Sequence, residues 1–105
     1  MVRGEVFRLR LPHGRRGSEQ RGARYAVVVQ ANELLALSTV LVSPTSTAAP
    51  PRSFRPTIDL QGSSTRVLVE QTTAVSPDRL GESVGRLGAR ELRDLDAALA
   101  VVFGL

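Results

Sequence analysis

The residues of this chain that could do chemistry are few and fall into two kinds, arginines and hydroxyls. There is no cysteine, which removes thiolate nucleophiles, disulfides and cysteine-based zinc sites. The one histidine, His13, rules out schemes that need two imidazoles. Its place in a glycine-rich loop fits a serine–histidine–acid triad poorly. Glu5, Glu19, Glu33 and Glu70 lie near strand starts or ends, with no spacing that pairs them for acid–base work. Glu91, Asp94 and Asp96 read as the solvated face of a helix, so neither a metal nor a cofactor is expected. Gly14-Arg15-Arg16-Gly17 lacks the lysine and the following helix of a phosphate-binding loop.

What remains is Arg24, which opens the most apolar strand, and Thr45 and Ser46, which close the next one. Adjacent strands can bring a guanidinium and a hydroxyl to one sheet edge. Cleavage of RNA needs little more. The substrate's own 2′-hydroxyl is the nucleophile, and the protein must orient it and stabilise charge on five-coordinate phosphorus. A planar, permanently charged fork suits phosphate oxygens. Without further context, Arg24 reads as strand-end surface charge and the two hydroxyls as turn residues.

The charge distribution points the same way. All 14 basic residues are arginine, and 10 acids leave a net charge of +4. Arg3, Arg8, Arg10, Arg15, Arg16, Arg21 and Arg24 fall in the first 24 residues, against only Glu5 and Glu19. A GC-rich genome accounts for the missing lysine but not for the clustering. A basic patch of this kind favours a polyanionic partner, nucleic acid first.

At 105 residues the chain fits one domain, 1–105. No apolar run approaches the ~20 residues of a membrane helix. The opening Met1-Val2-Arg3-Gly4-Glu5 has no signal-peptide stretch, so a cytoplasmic protein is expected.

The elements that must position these groups follow from hydrophobic period and punctuation. From Val2 to Leu11, Phe7, Leu9 and Leu11 alternate with Arg8 and Arg10, which predicts a strand with one apolar and one basic face. Val6 is out of that phase, so a bulge or twist is expected near Gly4. Pro12 to Gly22 reads as a loop. Arg24 to Ala31 is the strongest strand, and its three consecutive valines predict cover on both faces. Asn32 to Ala36 allows one helical turn, and Ser38 to Ser43 a buried strand. Pro44 to Arg52 holds three of the six prolines and is expected outside the sheet interior. Phe54 to Leu60 reads as an edge strand and Gln61 to Ser64 as a turn. Arg66 to Glu70 reads as a strand running into Gln71–Val75. Ser76 to Leu80 begins like a helical turn with proline at its first position. Ser83 to Leu87 makes a last strand. Ala89 to Phe103 is the one long helix, with Leu92, Leu95, Leu99 and Val102 on one face. The class is α+β, around a small, twisted, barrel-like antiparallel sheet.

In this order the motifs resemble those of the MazF/PemK toxin endoribonucleases of bacterial toxin–antitoxin pairs. Arg3-Gly4-Glu5-Val6 is similar to the family's opening R-G-(D/E)-(V/I), and Gly17-Ser18-Glu19-Gln20-Arg21-Gly22-Ala23-Arg24 to its G-S-E-x-x-G-x-R. Ala26 to Gln30 resembles the apolar strand that follows, and Leu41 to Ser46 the strand ending in the catalytic hydroxyl. Val67 to Thr73 resembles the strand bearing (D/E)-Q-I-R. Gly85-Arg86-Leu87, Leu92 to Leu99 and Phe103-Gly104-Leu105 match the closing strand and helix.

The resemblance spans essentially the whole chain. It implies a small SH3-like, CcdB/PemK-like antiparallel β-barrel with a C-terminal helix, a homodimer, and inhibition by a cognate antitoxin. It implies metal-independent cleavage of single-stranded RNA to 2′,3′-cyclic phosphate and 5′-hydroxyl ends. Carried over by position, Arg24 is the charge-stabilising and proton-handling residue. The phosphate-holding hydroxyl is Ser46 by register or Thr45 by residue type. Glu19 and Gln71 are implied as RNA contacts, and Ser18 and Gln20 more weakly. The family's proline after the arginine is Tyr25 here, and the arginine closing (D/E)-Q-I-R is Thr73. Arg15, Arg16 and Arg21 are available to make up that phosphate contact. CcdB-like topoisomerase poisons share the fold but act through a tryptophan-bearing tail, and this chain has no tryptophan. A nucleic-acid-binding barrel without catalysis is the third reading.

Overall fold

The computed structural model describes residues 1–10 and 24–105. The loop expected from Pro12 to Gly22, with His13, Arg15, Arg16, Glu19 and Arg21, lies outside the described residues, as does Leu11. Among the described residues, seven strands and one α-helix follow in chain order: β1 (Glu5–Leu9), β2 (Tyr25–Val28), β3 (Val40–Ser46), β4 (Thr57–Leu60), β5 (Ser63–Val67), β6 (Thr73–Val75), β7 (Leu80–Arg86) and α1 (Ala89–Phe103). Short 3-10 turns occupy Asn32–Leu34, Val69–Gln71 and Pro77–Arg79. The strands form an antiparallel sheet in the order β4-β5-β3-β2-β1-β7, with β6 also paired to β3. The sheet curls into a half-barrel and α1 packs on it, the α+β arrangement expected.

Both faces of the sheet are buried at β2. Val27 and Val29 join Val6, Ile58, Val67 and the helix residues Leu95 and Ala98 in one core. Ala26 and Val28 join Val40, Val42, Val75 and Leu80 in another. This is why the valine run shows no alternation. Gln30, only 7% exposed, ends the run. Its amide donates to the Leu34 carbonyl at 2.7 Å and accepts from the Leu41 N–H at 3.0 Å.

Strand β1 departs from the one-faced reading. Val6 buries in the helix-side core, while Phe7 and Leu9 pack on the other. The pairing with β7 shifts between Val6 and Phe7 and again before Leu9, and these irregularities accommodate the phase change. Gly4 has φ +90°, and a Cβ there would stand 2.8 Å from Cδ2 of Leu92. Glycine is required for both backbone and space. Its neighbours tie the same corner. Arg3 donates from Nε to the Val29 carbonyl at 2.9 Å and from Nη2 to Asp96 at 2.6 Å. Glu5 accepts from the Val2 N–H at 3.1 Å and from the Ser83 hydroxyl at 2.6 Å.

Strand β3 is longer than expected and runs through Pro44, which pairs with Ala26. Proline is tolerated because β3 changes partner there, from β6 (Val42 opposite Thr73) to β5 (Thr45 opposite Val67). The Pro44 carbonyl accepts from the Leu68 N–H at 2.8 Å on that side, so the missing donor falls at the seam between the two partners. The strand expected at Arg66–Glu70 ends at Val67, and Val69–Gln71 is a 3-10 turn. The Thr72 hydroxyl holds that turn, bonded to the Val69 carbonyl at 2.7 Å and to Ser43 Oγ at 2.6 Å. β4 is the edge strand expected, entered from Pro56. Gln61 and Gly62, at φ 53° and 84°, turn it tightly into β5.

The helix keeps its expected bounds, with Leu92, Leu99 and Val102 packed on the core beside buried Leu95. Glu91 does more than face solvent. One carboxylate oxygen accepts from the Gly88 N–H at 3.0 Å, and the other from the Asp59 N–H of β4 at 2.9 Å. One side chain thus caps α1 and ties down the sheet edge. No helix among the described residues is long and apolar enough to cross a membrane.

Candidate active site

The site is set by the register of β2 on β3. Ala26 faces Pro44 and Val27 faces Ser43. Beyond that register the Thr45 hydroxyl reaches the Tyr25 carbonyl, and Arg24 and Ser46 follow at the two strand ends. All four line one cleft of about 490 Å³ at the strand ends. Its other side comes from the β4–β5 hairpin, through Gln61, Ser63 and Thr65, with Leu60 and Leu68 supplying apolar surface. Among the described residues, Arg24 is the one charged group lining this cleft.

The two hydroxyls differ in what they have left to offer. Ser46 Oγ accepts from the Ala48 N–H at 3.1 Å and the Ala49 N–H at 3.0 Å. Its lone pairs are engaged, so its proton is what it can give to a ligand. Thr45 Oγ1 donates to the Tyr25 carbonyl at 3.3 Å. Its proton is spent there and its lone pairs remain. An anion calls for donors, and Ser46 can offer its proton while keeping both backbone bonds, whereas Thr45 would first have to leave the Tyr25 carbonyl.

Arg24 is exposed at its side chain, while its carbonyl accepts from the Leu9 N–H at 2.7 Å. The strand end is thus anchored from β1 while the guanidinium is presented to the cleft. On the far side of Ser46, Arg66 is its cross-strand neighbour on β5. Its Nη1 donates to Ser64 at 3.0 Å, and its buried Nε has no partner among the described residues.

Other residues singled out from sequence lie elsewhere. Gln71 is exposed on the Val69–Gln71 turn and does not line the cleft. Glu70 pairs with Arg55, at 2.9 Å to Nε and 2.7 Å to Nη2, and the guanidinium holds its carboxyl below the usual carboxylate range. The Ser83 hydroxyl does the same for Glu5. Both are structural carboxylates. Glu19, Arg15, Arg16 and Arg21 lie outside the described residues. Sequence reasoning missed Gln61, Ser63 and Thr65, and the available signal was Gln-Gly between two strand-like segments, which marks a hairpin tip.

The chain belongs to the family of PemK-like, MazF-like toxins of type II toxin–antitoxin systems, which its residues 2–103 match. It is 38% identical over 106 residues to the candidate toxin Rv3098A of Mycobacterium tuberculosis, covering 100% of this chain and 99% of that protein. The fold is similar to an endoribonuclease from a mycobacterial species solved with its cognate antitoxin, at TM-score 0.79 and 19% identity over 100% of this chain and 96% of that one. It is similar to the M. tuberculosis toxin MazF-mt6 at TM-score 0.78 and 19% identity, over 96% and 97% of the two chains. MazF of Deinococcus radiodurans aligns at TM-score 0.76 and 21% identity, over 100% and 97%.

Proposed function

We propose that residues 1–105 act as one toxin domain that cleaves single-stranded RNA without a metal, leaving 2′,3′-cyclic phosphate and 5′-hydroxyl ends. The observation that supports this reading is Ser46, with its lone pairs engaged and its proton left to give, lining one cleft with Arg24. The scissile phosphate sits between them. As the 2′-oxygen attacks, its bond to phosphorus forms and the phosphorus–5′-oxygen bond breaks. Negative charge grows on the non-bridging oxygens, where the Arg24 fork and the Ser46 hydroxyl stabilise it. The guanidinium supplies the positive charge a metal would otherwise bring. Thr45, with free lone pairs, can accept from the attacking 2′-hydroxyl and orient it. The proton lost there and the one gained by the 5′-oxygen exchange through solvent at the cleft mouth.

Arg15, Arg16, Arg21 and Glu19 hold the flanking RNA in this reading. The protein works as a cytoplasmic homodimer and is held inactive by a cognate antitoxin, as the solved mycobacterial relative's complex suggests. The topoisomerase-poison reading is not favoured. The family match is to PemK-like and MazF-like toxins, and the chain has no tryptophan. The test is cleavage of an RNA oligonucleotide and its DNA counterpart, with and without chelator, followed by analysis of the product ends. RNA alone should be cut, undiminished by chelator. Equal cutting of DNA, or loss in chelator, contradicts the proposal.

A further inference from the structure

The cleft is larger than one phosphate needs. Apart from Arg24 its lining among the described residues carries no charge, with Tyr25, Gln61, Ser63 and Thr65 walling it and Leu60 beside them. Hydroxyls and an amide offer donors and acceptors without net charge, unlike a second phosphate site, which would call for cations. A volume of about 490 Å³ lies in the range of pockets that enclose small planar ligands. Tyr25 is partly buried, packs against the helix-side core and lines the cleft. A ring held in this way is a stacking platform with little conformational freedom left to lose.

We infer that the uncharged part of the cleft takes the nucleobase next to the scissile phosphate, stacked on Tyr25 and read along its edge by the exposed Gln61 and Ser63. This rests on the RNA-cleaving reading above and names where one base of the substrate is recognised. Single-stranded RNA is read in this manner, by splaying a base onto an aromatic ring and bonding its edges. Gln61 is well placed for discrimination, because its amide presents both a donor and an acceptor. It sits at φ 53° in the tight hairpin turn, so the hairpin rather than a long loop sets its position. Tyr25 and Arg24 line the same cleft, so one stretch of RNA can meet both the ring and the guanidinium.

The chain provides its own reporter. Tyr25 is the one tyrosine and there is no tryptophan, so intrinsic fluorescence reports this ring alone. The probe is a short 2′-O-methyl oligoribonucleotide, which lacks the nucleophile and is not cut. An abasic residue is then moved through it position by position. Binding should quench the tyrosine, and an abasic residue at one position should abolish quenching and weaken binding about tenfold. Tyr25→Phe should keep that affinity and Tyr25→Leu should lose it. Gln61→Gly, which suits the turn, should relax the preference for one base at the sensitive position. Undiminished quenching with an abasic residue at every position, no quenching by any oligonucleotide, or full affinity in folded Tyr25→Leu overturns the inference. Cleavage is scored separately. Cutting of RNA by the parent chain without base-dependent quenching defeats this inference alone. Base-dependent quenching without cutting defeats the catalytic reading alone.

Discussion

Replacing Ser46 by alanine separates the structural and catalytic duties of one hydroxyl. In the folded chain Oγ accepts from two backbone N–H groups, at 3.1 and 3.0 Å. Alanine leaves both donors without that acceptor. Ala48 is exposed and water replaces the bond, whereas Ala49 is half-buried and is compensated less well. The cost should be about 1 kcal/mol, the scale of losing a helix-cap hydroxyl. For a domain of this size that lowers the melting midpoint by roughly 4–8 °C. The catalytic loss should be larger. Removing one donor aimed at developing oxyanion charge costs about 10²–10³ in rate, or roughly 2.7–4 kcal/mol of barrier. Thr45→Val removes an acceptor that helps orient the 2′-hydroxyl but no donor to the developing charge, so its effect should stay within about tenfold, well below that donor loss. Ser46→Thr keeps the donor and should recover most of the rate. The assay is single-turnover RNA cleavage at saturating enzyme, with circular dichroism giving the midpoint of each variant. If Ser46→Ala cleaves within about tenfold of the parent while Thr45→Val falls by about a hundredfold, the donor argument is wrong and the roles are exchanged.

Arg24→Ala should lose at least ~10²-fold in the same assay, and Arg24→Lys should recover little, because the bidentate fork is lost while the charge remains. Near-parental cleavage by folded Arg24→Lys would show that charge alone suffices. Gly4→Ala should destabilise the fold by about 2–4 kcal/mol, combining positive-φ strain with overpacking against Leu92, as measured by denaturant titration. The carboxyls of Glu5 and Glu70 are both depressed in the folded chain, so the stability they contribute is complete above the ordinary glutamate value of about 4.3 and is lost as pH falls below it. Glu5→Gln should flatten that acid limb in thermal melts, and an unchanged limb would show that the Ser83 bond is energetically idle. Arg15→Ala with Arg16→Ala should reduce the salt slope of RNA binding by ~0.7 for each phosphate no longer neutralised, read from affinities at several ionic strengths.

Much of the fold can be read from the residues, and the misreadings have identifiable causes. Helix α1 is legible to its bounds because Leu92, Leu95, Leu99 and Val102 mark the 3.6 period over about three turns, with glycine at each end. The two-sided burial of β2 is legible from the valine run. Strand β3 reads too short because Pro44 argues against a sheet interior, and nothing local announces that a strand will change neighbours at that residue. The segment around Glu70 misleads because its apolar pattern suits a strand, whereas the Thr72 hydroxyl and the pairing with Arg55 hold a 3-10 turn. At the site, residue types and the resemblance point to Arg24, Thr45 and Ser46. They do not distinguish the hydroxyls, since that depends on which backbone groups each one meets after folding. The hairpin side of the cleft is not legible, because Gln61 and Thr65 reach Tyr25's neighbourhood only through the sheet order β4-β5-β3-β2.

Gln30 has a consequence that reaches the other end of its strand. Val27, Val28 and Val29 are the same residue, so a one-residue slip of β2 would exchange valine for valine in both cores. Apolar patterning alone would tolerate that slip, although elsewhere it fixes which way a strand lies. Gln30 does not tolerate it. Its amide meets the Leu34 carbonyl and the Leu41 N–H only in the observed alignment, and displacement would leave a buried amide unsatisfied. A slip would also move Arg24 and Tyr25 from their places at the cleft. One glutamine, six positions along the chain from Arg24 and outside the cleft's lining, therefore helps to hold both residues where they line it.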